Sequence, residues 1–195
     1  SKTRNTNDIL TAYNTGQRIF GENKVQELVK KQETLPNDIQ WHLIGHLQSN
    51  KVKYIAPFID LIHTVDSIKL IQEINKRAKQ NNRTIDCLLQ VHIAREETKF
   101  GFDINEIEDI IKEAKRFTNI NIKGLMGMAT FTSNQQEINT EFRKINELFG
   151  IIRTNIINTA FPAGRKYNGN GVNVMMHDDG YVEPHIDRRG RVDES

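Results

Sequence analysis

Four groups of side chains in this sequence could carry chemistry, and each implies a different reaction. Lys2 bears an amine that, in any fold that partly desolvates it, would lose some preference for its charged form and condense with an aldehyde. By residue type alone, a lysine there is an ordinary solvated cation. Asn23 follows Phe20-Gly21-Glu22, where its amide can either hydrogen-bond a ligand or cap the helix carrying Val25 and Leu28. His42 and His46 stand four apart, the spacing of two metal ligands on one helix. Here they flank Leu43-Ile44-Gly45, a strand running into glycine, so they share no helical face and no metal is assigned to them. His177, Asp178, Asp179 and His185 offer imidazole and carboxylate to a divalent ion, but in no familiar ligand spacing.

Other polar residues read as scaffolding. His46, Gln48, Ser49 and Asn50 suit a network that stiffens a loop, with Ser49 or Asn50 capping the next helix. Glu22 and Gln26 read as structural, holding the loop and the helix start. Met126 and Met128 are apolar packing at a strand end. Cys87 lies in the run Ile85-Asp86-Cys87-Leu88-Leu89-Gln90-Val91, where a buried, inert thiol is expected.

The elements that must position these residues alternate. Strand-like runs recur at 18–20, 40–44, 61–65, 87–93 and 120–126. Between them, Ile9, Ala12 and Tyr13 share a helical face behind an Asn7 or Thr6 cap. Ile68, Leu70, Ile71, Ile74 and Ala78 do so behind Ser67, Asp103 opens a helix with Ile107, Ile110, Ile111 and Ala114, and Phe142, Ile145 and Leu148 line another. Single amphipathic helices between strands imply parallel pairing through right-handed crossovers, hence an α/β fold. Periodicity alone leaves open a barrel or a doubly wound sheet. Asn168-Gly169-Asn170-Gly171 reads as a turn and matches no phosphate-binding loop.

Three segments in order, Ser1-Lys2-Thr3, Phe20-Gly21-Glu22-Asn23-Lys24-Val25-Gln26-Glu27 and Trp41-His42-Leu43-Ile44-Gly45-His46-Leu47-Gln48-Ser49-Asn50-Lys51, resemble the pyridoxal phosphate homeostasis proteins. The resemblance runs through the helix of Phe142 and Arg143 to about residue 153 and fails over residues 154–195. It implies a single-domain (β/α)8 TIM-type barrel spanning 1–195, akin to the N-terminal domain of alanine racemase. Ser1-Lys2 would end strand one, the runs above would be strands two to six, and strands seven and eight would follow Arg153. An initial helix and most of strand one would be missing, and the tail would be atypical.

The resemblance further implies pyridoxal 5′-phosphate as cofactor, held as a Schiff base on Lys2, with Asn23 in its pocket and Met126 as an apolar wall. The family's phosphate-binding segments survive only as echoes, in Val174-Met175-Met176-His177 and in Arg188-Arg189-Gly190-Arg191, so His177 and Arg188 are the phosphate-side candidates. The implied role is vitamin B6 homeostasis without catalysis, since no second acid/base group is identifiable. The alternatives are a racemase-like enzyme and a scaffold or fragment that no longer binds the cofactor. Apoenzymes that use pyridoxal phosphate are the implied protein partners of a monomer.

Composition fits this class. With 195 residues the chain suits one domain, and 37% hydrophobic and 27% charged residues describe an ordinary globular protein. A formal net charge of +2 calls for neither nucleic acid nor an anionic membrane, and the cluster around Arg188 is expected to be solvated. One cysteine permits no internal disulfide. The apolar runs are too short to span a bilayer and Ser1 starts no signal peptide, so a cytoplasmic location is expected. The missing initiator methionine suggests a fragment or processed chain.

Overall fold

A computed structural model describes residues 1–95, 100–152 and 175–176. Among the described residues six strands form one parallel sheet: β1 (Ile19–Glu22), β2 (Gln40–Leu43), β3 (Leu61–Val65), β4 (Ile85–Val91), β5 (Ile120–Gly127) and β6 (Met175–Met176). They pair in chain order, each with the next. A doubly wound sheet reverses its order at a switch point, whereas a barrel winds steadily in one direction. The observed order is therefore that of a barrel wall.

The helices are α1 (Thr6–Asn14), α2 (Val25–Thr34), α3 (Val52–Ile55, after a 3-10 turn at Ser49–Lys51), α4 (Ile68–Gln80), α5 (Ile107–Ala114) and α6 (Gln135–Ile152). In α4 the periodicity does what it promised. The Ser67 hydroxyl accepts from the Leu70 amide at 3.3 Å, and Leu70, Ile71, Ile74 and Ala78 form one buried stripe. That stripe joins a core with Ile62, Val65, Ile85, Cys87 and Leu89 of the central strands. Trp41 and Phe20 extend it across β2 and β1, their ring centroids 6.2 Å apart and tilted by 47°.

Several boundaries differ from the sequence reading. Asn5, rather than Thr6 or Asn7, caps α1 by accepting from the Asp8 amide. Asp103 does not open α5: its carboxylate accepts from the Asn105 amide in a preceding turn, and the helix starts at Ile107. Neither Ser49 nor Asn50 caps a helix, because Gln48 occupies that position without a side-chain bond and Ser49–Lys51 is itself the first turn. The run expected to continue to Ile93 leaves β4 after Val91. There Phe102 returns to bridge Val91, donating from its amide to Gln90 at 2.8 Å and accepting from His92 at 2.9 Å. Residues 1–4 are a turn rather than a strand end. Met175–Met176, within the run expected to supply strand seven, pairs in parallel with Met126–Gly127. His177, Asp178, Asp179, His185, Arg188 and the turn at 168–171 lie outside the described residues.

Candidate functional site

Pleating sorts the strand residues into two faces. Glu22 points to the helix layer, where Lys31 of α2 meets it at 2.8 Å, and its register partner Leu43 is buried on that side. Gly21 and its partner His42 therefore face the barrel interior. So do Leu61, opposite His42, and His63, two residues further along β3. His63 Nε2 lies 3.1 Å from His42 Nδ1. Asp86, the register partner of Leu61, accepts from Asn121 at 3.0 Å and pairs with Lys123 at 3.4 Å, both contacts open to solvent.

Lys2 and Asn23 lie at the C-terminal end of β1, the end of the strands at which such barrels hold their sites. Ser1 is fastened there. Its main-chain nitrogen donates to the Gly21 carbonyl at 2.9 Å, its hydroxyl stands 2.5 Å from Glu22 Oε1 and 3.0 Å from the Gly21 carbonyl, and its carbonyl accepts from Lys31 Nζ at 3.2 Å. A hydroxyl has one proton, and the shorter contact to the carboxylate takes it. Lys2 follows, half-buried, at the second position of a turn closed by the Arg4 amide bonding to the Ser1 carbonyl at 3.0 Å. Thr3 occupies the third position with φ of 101°, a conformation that glycine adopts freely and a β-branched residue does not.

Asn23 follows Glu22 directly, so the Ser1–Glu22 bond brings Lys2 and Asn23 to the same strand end. The Asn23 side chain is exposed and caps nothing. Lys24 is the N-cap residue of α2 and makes no side-chain capping bond, its ammonium pairing instead with Glu27 at 3.4 Å. Gly45 closes in from the end of β2, where a Cβ would stand 2.2 Å from the Asn23 carbonyl oxygen, so only glycine allows this approach. Met126 is buried in β5, opposite Gln90 of β4.

His46 belongs to the rim. It pairs with Asp66 at 3.3 Å and stacks on Phe100 with centroids 4.0 Å apart. Asp66 also accepts from the Ser67 hydroxyl, while buried Thr64 donates to the Gly45 carbonyl at 2.7 Å. Gln48, Ser49 and Asn50 take no part in these bonds. His42 and His46 are thus separated, one inside and one at the rim, and among the described residues no three histidine, cysteine, aspartate or glutamate side chains are grouped to hold a metal. Burial pushes the Cys87 thiol well above its ordinary range, with Asp86 adding to the effect, so it is not a thiolate nucleophile.

Two features escaped the sequence reading. Lys31 carries no periodic signal that would join it to Glu22, since only the fold brings α2 back against β1. His63 could have been suspected as an imidazole set within the apolar run Leu61-Ile62-His63-Thr64-Val65.

An all-parallel wall in chain order, with a lysine held at the C-terminal strand ends, is the plan of a cofactor-binding barrel. Residues 6–161 match the family described as alanine racemase, N-terminal domain, and the chain belongs to that family, among its pyridoxal phosphate homeostasis proteins. It is 40% identical over 149 residues to the pyridoxal phosphate homeostasis protein of Aquifex aeolicus, covering 76% of this chain and 65% of that protein. It is 36% identical over 156 residues to the one from Helicobacter pylori strain 26695, covering 78% and 70%. The chain thus spans about 65% of the length of the first of these relatives. The structure of PipY from Synechococcus elongatus superposes with a TM-score of 0.75 without PLP and 0.70 with PLP bound. These comparisons have 32% and 31% identity and cover 79% of this chain in both, and 73% and 72% of PipY. Alanine racemase of Clostridium difficile, at 13% identity and a TM-score of 0.58, shares the fold alone. Among the described residues no helix is long and apolar enough to cross a membrane.

Proposed function

We propose that this chain binds pyridoxal 5′-phosphate at the C-terminal strand ends, with Lys2 as the attachment point, and serves vitamin B6 balance in the cytoplasm as a single-domain monomer. The observation that supports the reading is the fastening of Ser1 to Gly21 and Glu22, which brings residues Lys2 and Asn23 to one strand end. The name of the Aquifex and Helicobacter relatives, and PipY with PLP bound, support it.

The residues at this end fit the cofactor's aldehyde and ring: a half-buried lysine, an exposed asparagine and a buried methionine in β5. When bound, pyridoxal phosphate supplies an aldehyde that condenses with a primary amine and releases water. Lys2 offers that amine, Asn23 orients the ring by a hydrogen bond, and Met126 keeps water from one side of it. His177 and Arg188 remain the candidates for the phosphate and lie outside the described residues. Storage and delivery to apoenzymes, rather than turnover, is the role that the relatives' name favours. An enzyme would add a second acid/base group facing Lys2 across the ring.

Incubation with pyridoxal phosphate, borohydride reduction and peptide mapping test the reading. The expected result is one reduced pyridoxyl group on Lys2. No adduct, or an adduct confined to another lysine, overturns it.

A further inference from the structure

Two departures from ordinary local chemistry stand within two residues of Lys2 in the fold. Glu22 is wholly buried, and both of its donors, Lys31 Nζ and the Ser1 hydroxyl, converge on Oε1. Its Oε2 is buried without a hydrogen-bond partner among the described residues. Thr3, on the other side of Lys2, holds a φ of 101°. A buried ion pair is a weak source of stability, an orphaned carboxylate oxygen detracts from it, and a β-branched residue at positive φ detracts again. Such departures gather where the fold serves something other than stability.

The bonds identify what is served. Lys31 reaches both Glu22 and the Ser1 carbonyl, and Glu22 reaches the Ser1 hydroxyl, so the pair grips Ser1 at two points while Gly21 holds its nitrogen. Neither Glu22 nor Lys31 faces the barrel interior. They act from the helix side of β1, behind the residue that carries the amine.

We infer that Glu22 and Lys31 are positioning residues for Lys2: through Ser1 they fix the start of the turn and so the direction from which the Lys2 amine meets an aldehyde. The inference rests on the proposed binding of pyridoxal phosphate. The step they assist joins the Lys2 nitrogen to the aldehyde carbon, and the carbonyl oxygen leaves as water with two protons taken from the ammonium form of the amine, the third being released to solvent. Precise alignment matters most for bond formation and least for docking of the ring and phosphate.

The test separates those two quantities with 4′-deoxypyridoxine 5′-phosphate, which lacks the aldehyde and binds without bond formation. Glu22→Gln is expected to weaken pyridoxal phosphate binding by about tenfold or more while moving the affinity for the analogue by less than about twofold. Ser1→Ala, which leaves the buried pair intact and removes only its hydroxyl link, is expected to change the same ratio in the same direction and guards against a Glu22→Gln chain that does not fold. Equal losses for both ligands, or a lower melting temperature with both affinities unchanged, overturn the positioning role. A wild-type chain that binds the analogue and pyridoxal phosphate equally, with no borohydride-fixed adduct on Lys2, overturns the proposed attachment site itself.

Discussion

His63 Nε2 lies 3.1 Å from His42 Nδ1, joining adjacent strands β3 and β2 on the interior face of the sheet. Their ring centroids are 5.1 Å apart and tilted by 47°. Whichever ring donates, the other must be neutral to accept, so the bond requires at least one uncharged imidazole.

Burial pushes the pKa of His42 down, and the nearby Asp60 carboxylate only partly opposes this. The unfolded chain therefore takes up a proton that the folded chain resists. Stability is expected to rise with pH between the depressed folded value and the ordinary histidine value of about 6.5, and to be lost as pH falls through that window. Melting temperatures from about pH 8 down to about pH 5.5 check this, and His42→Asn should flatten the slope if this pair is its source.

Lys2→Ala should abolish the borohydride-fixed adduct while leaving the melting temperature within about 2 °C of wild type, because the residue lies in a turn outside the hydrophobic core. Circular dichroism and mass spectrometry on the same sample read both quantities.

Asn23→Ala should weaken pyridoxal phosphate binding by roughly 2- to 12-fold, the equivalent of one net hydrogen bond of about 0.5–1.5 kcal/mol. Since Lys24 rather than Asn23 stands at the N-cap of α2, the melting temperature should hold. A drop in thermal stability with unchanged affinity would return Asn23 to a structural role.

Gly45→Ala should destabilise the fold by about 1–3 kcal/mol, because the new methyl group meets backbone rather than a side chain that can swing away. The added Cβ would stand 2.2 Å from the Asn23 carbonyl oxygen, so Asn23 must move and ligand affinity should fall together with stability. Urea unfolding and a binding titration on the same variant measure the pair of effects.

Much of the architecture was legible in the chain. Leu61–Val65 was bounded as a strand, and Ser67 with the stripe from Leu70 to Ala78 marked α4, because strand runs and amphipathic helices are local patterns. Ser1-Lys2, Phe20 to Glu27 and Trp41 to Lys51 carried the family resemblance, and with it the barrel. Only the tertiary structure joined Lys31 to Glu22 and Ser1, set His63 against His42, and released Asn23 from capping. Those relations depend on how α2 folds back against β1, on which face each pleat presents, and on where the first turn of a helix settles. Each is decided by packing between segments distant in sequence, to which no period of 2 or 3.6 residues is sensitive.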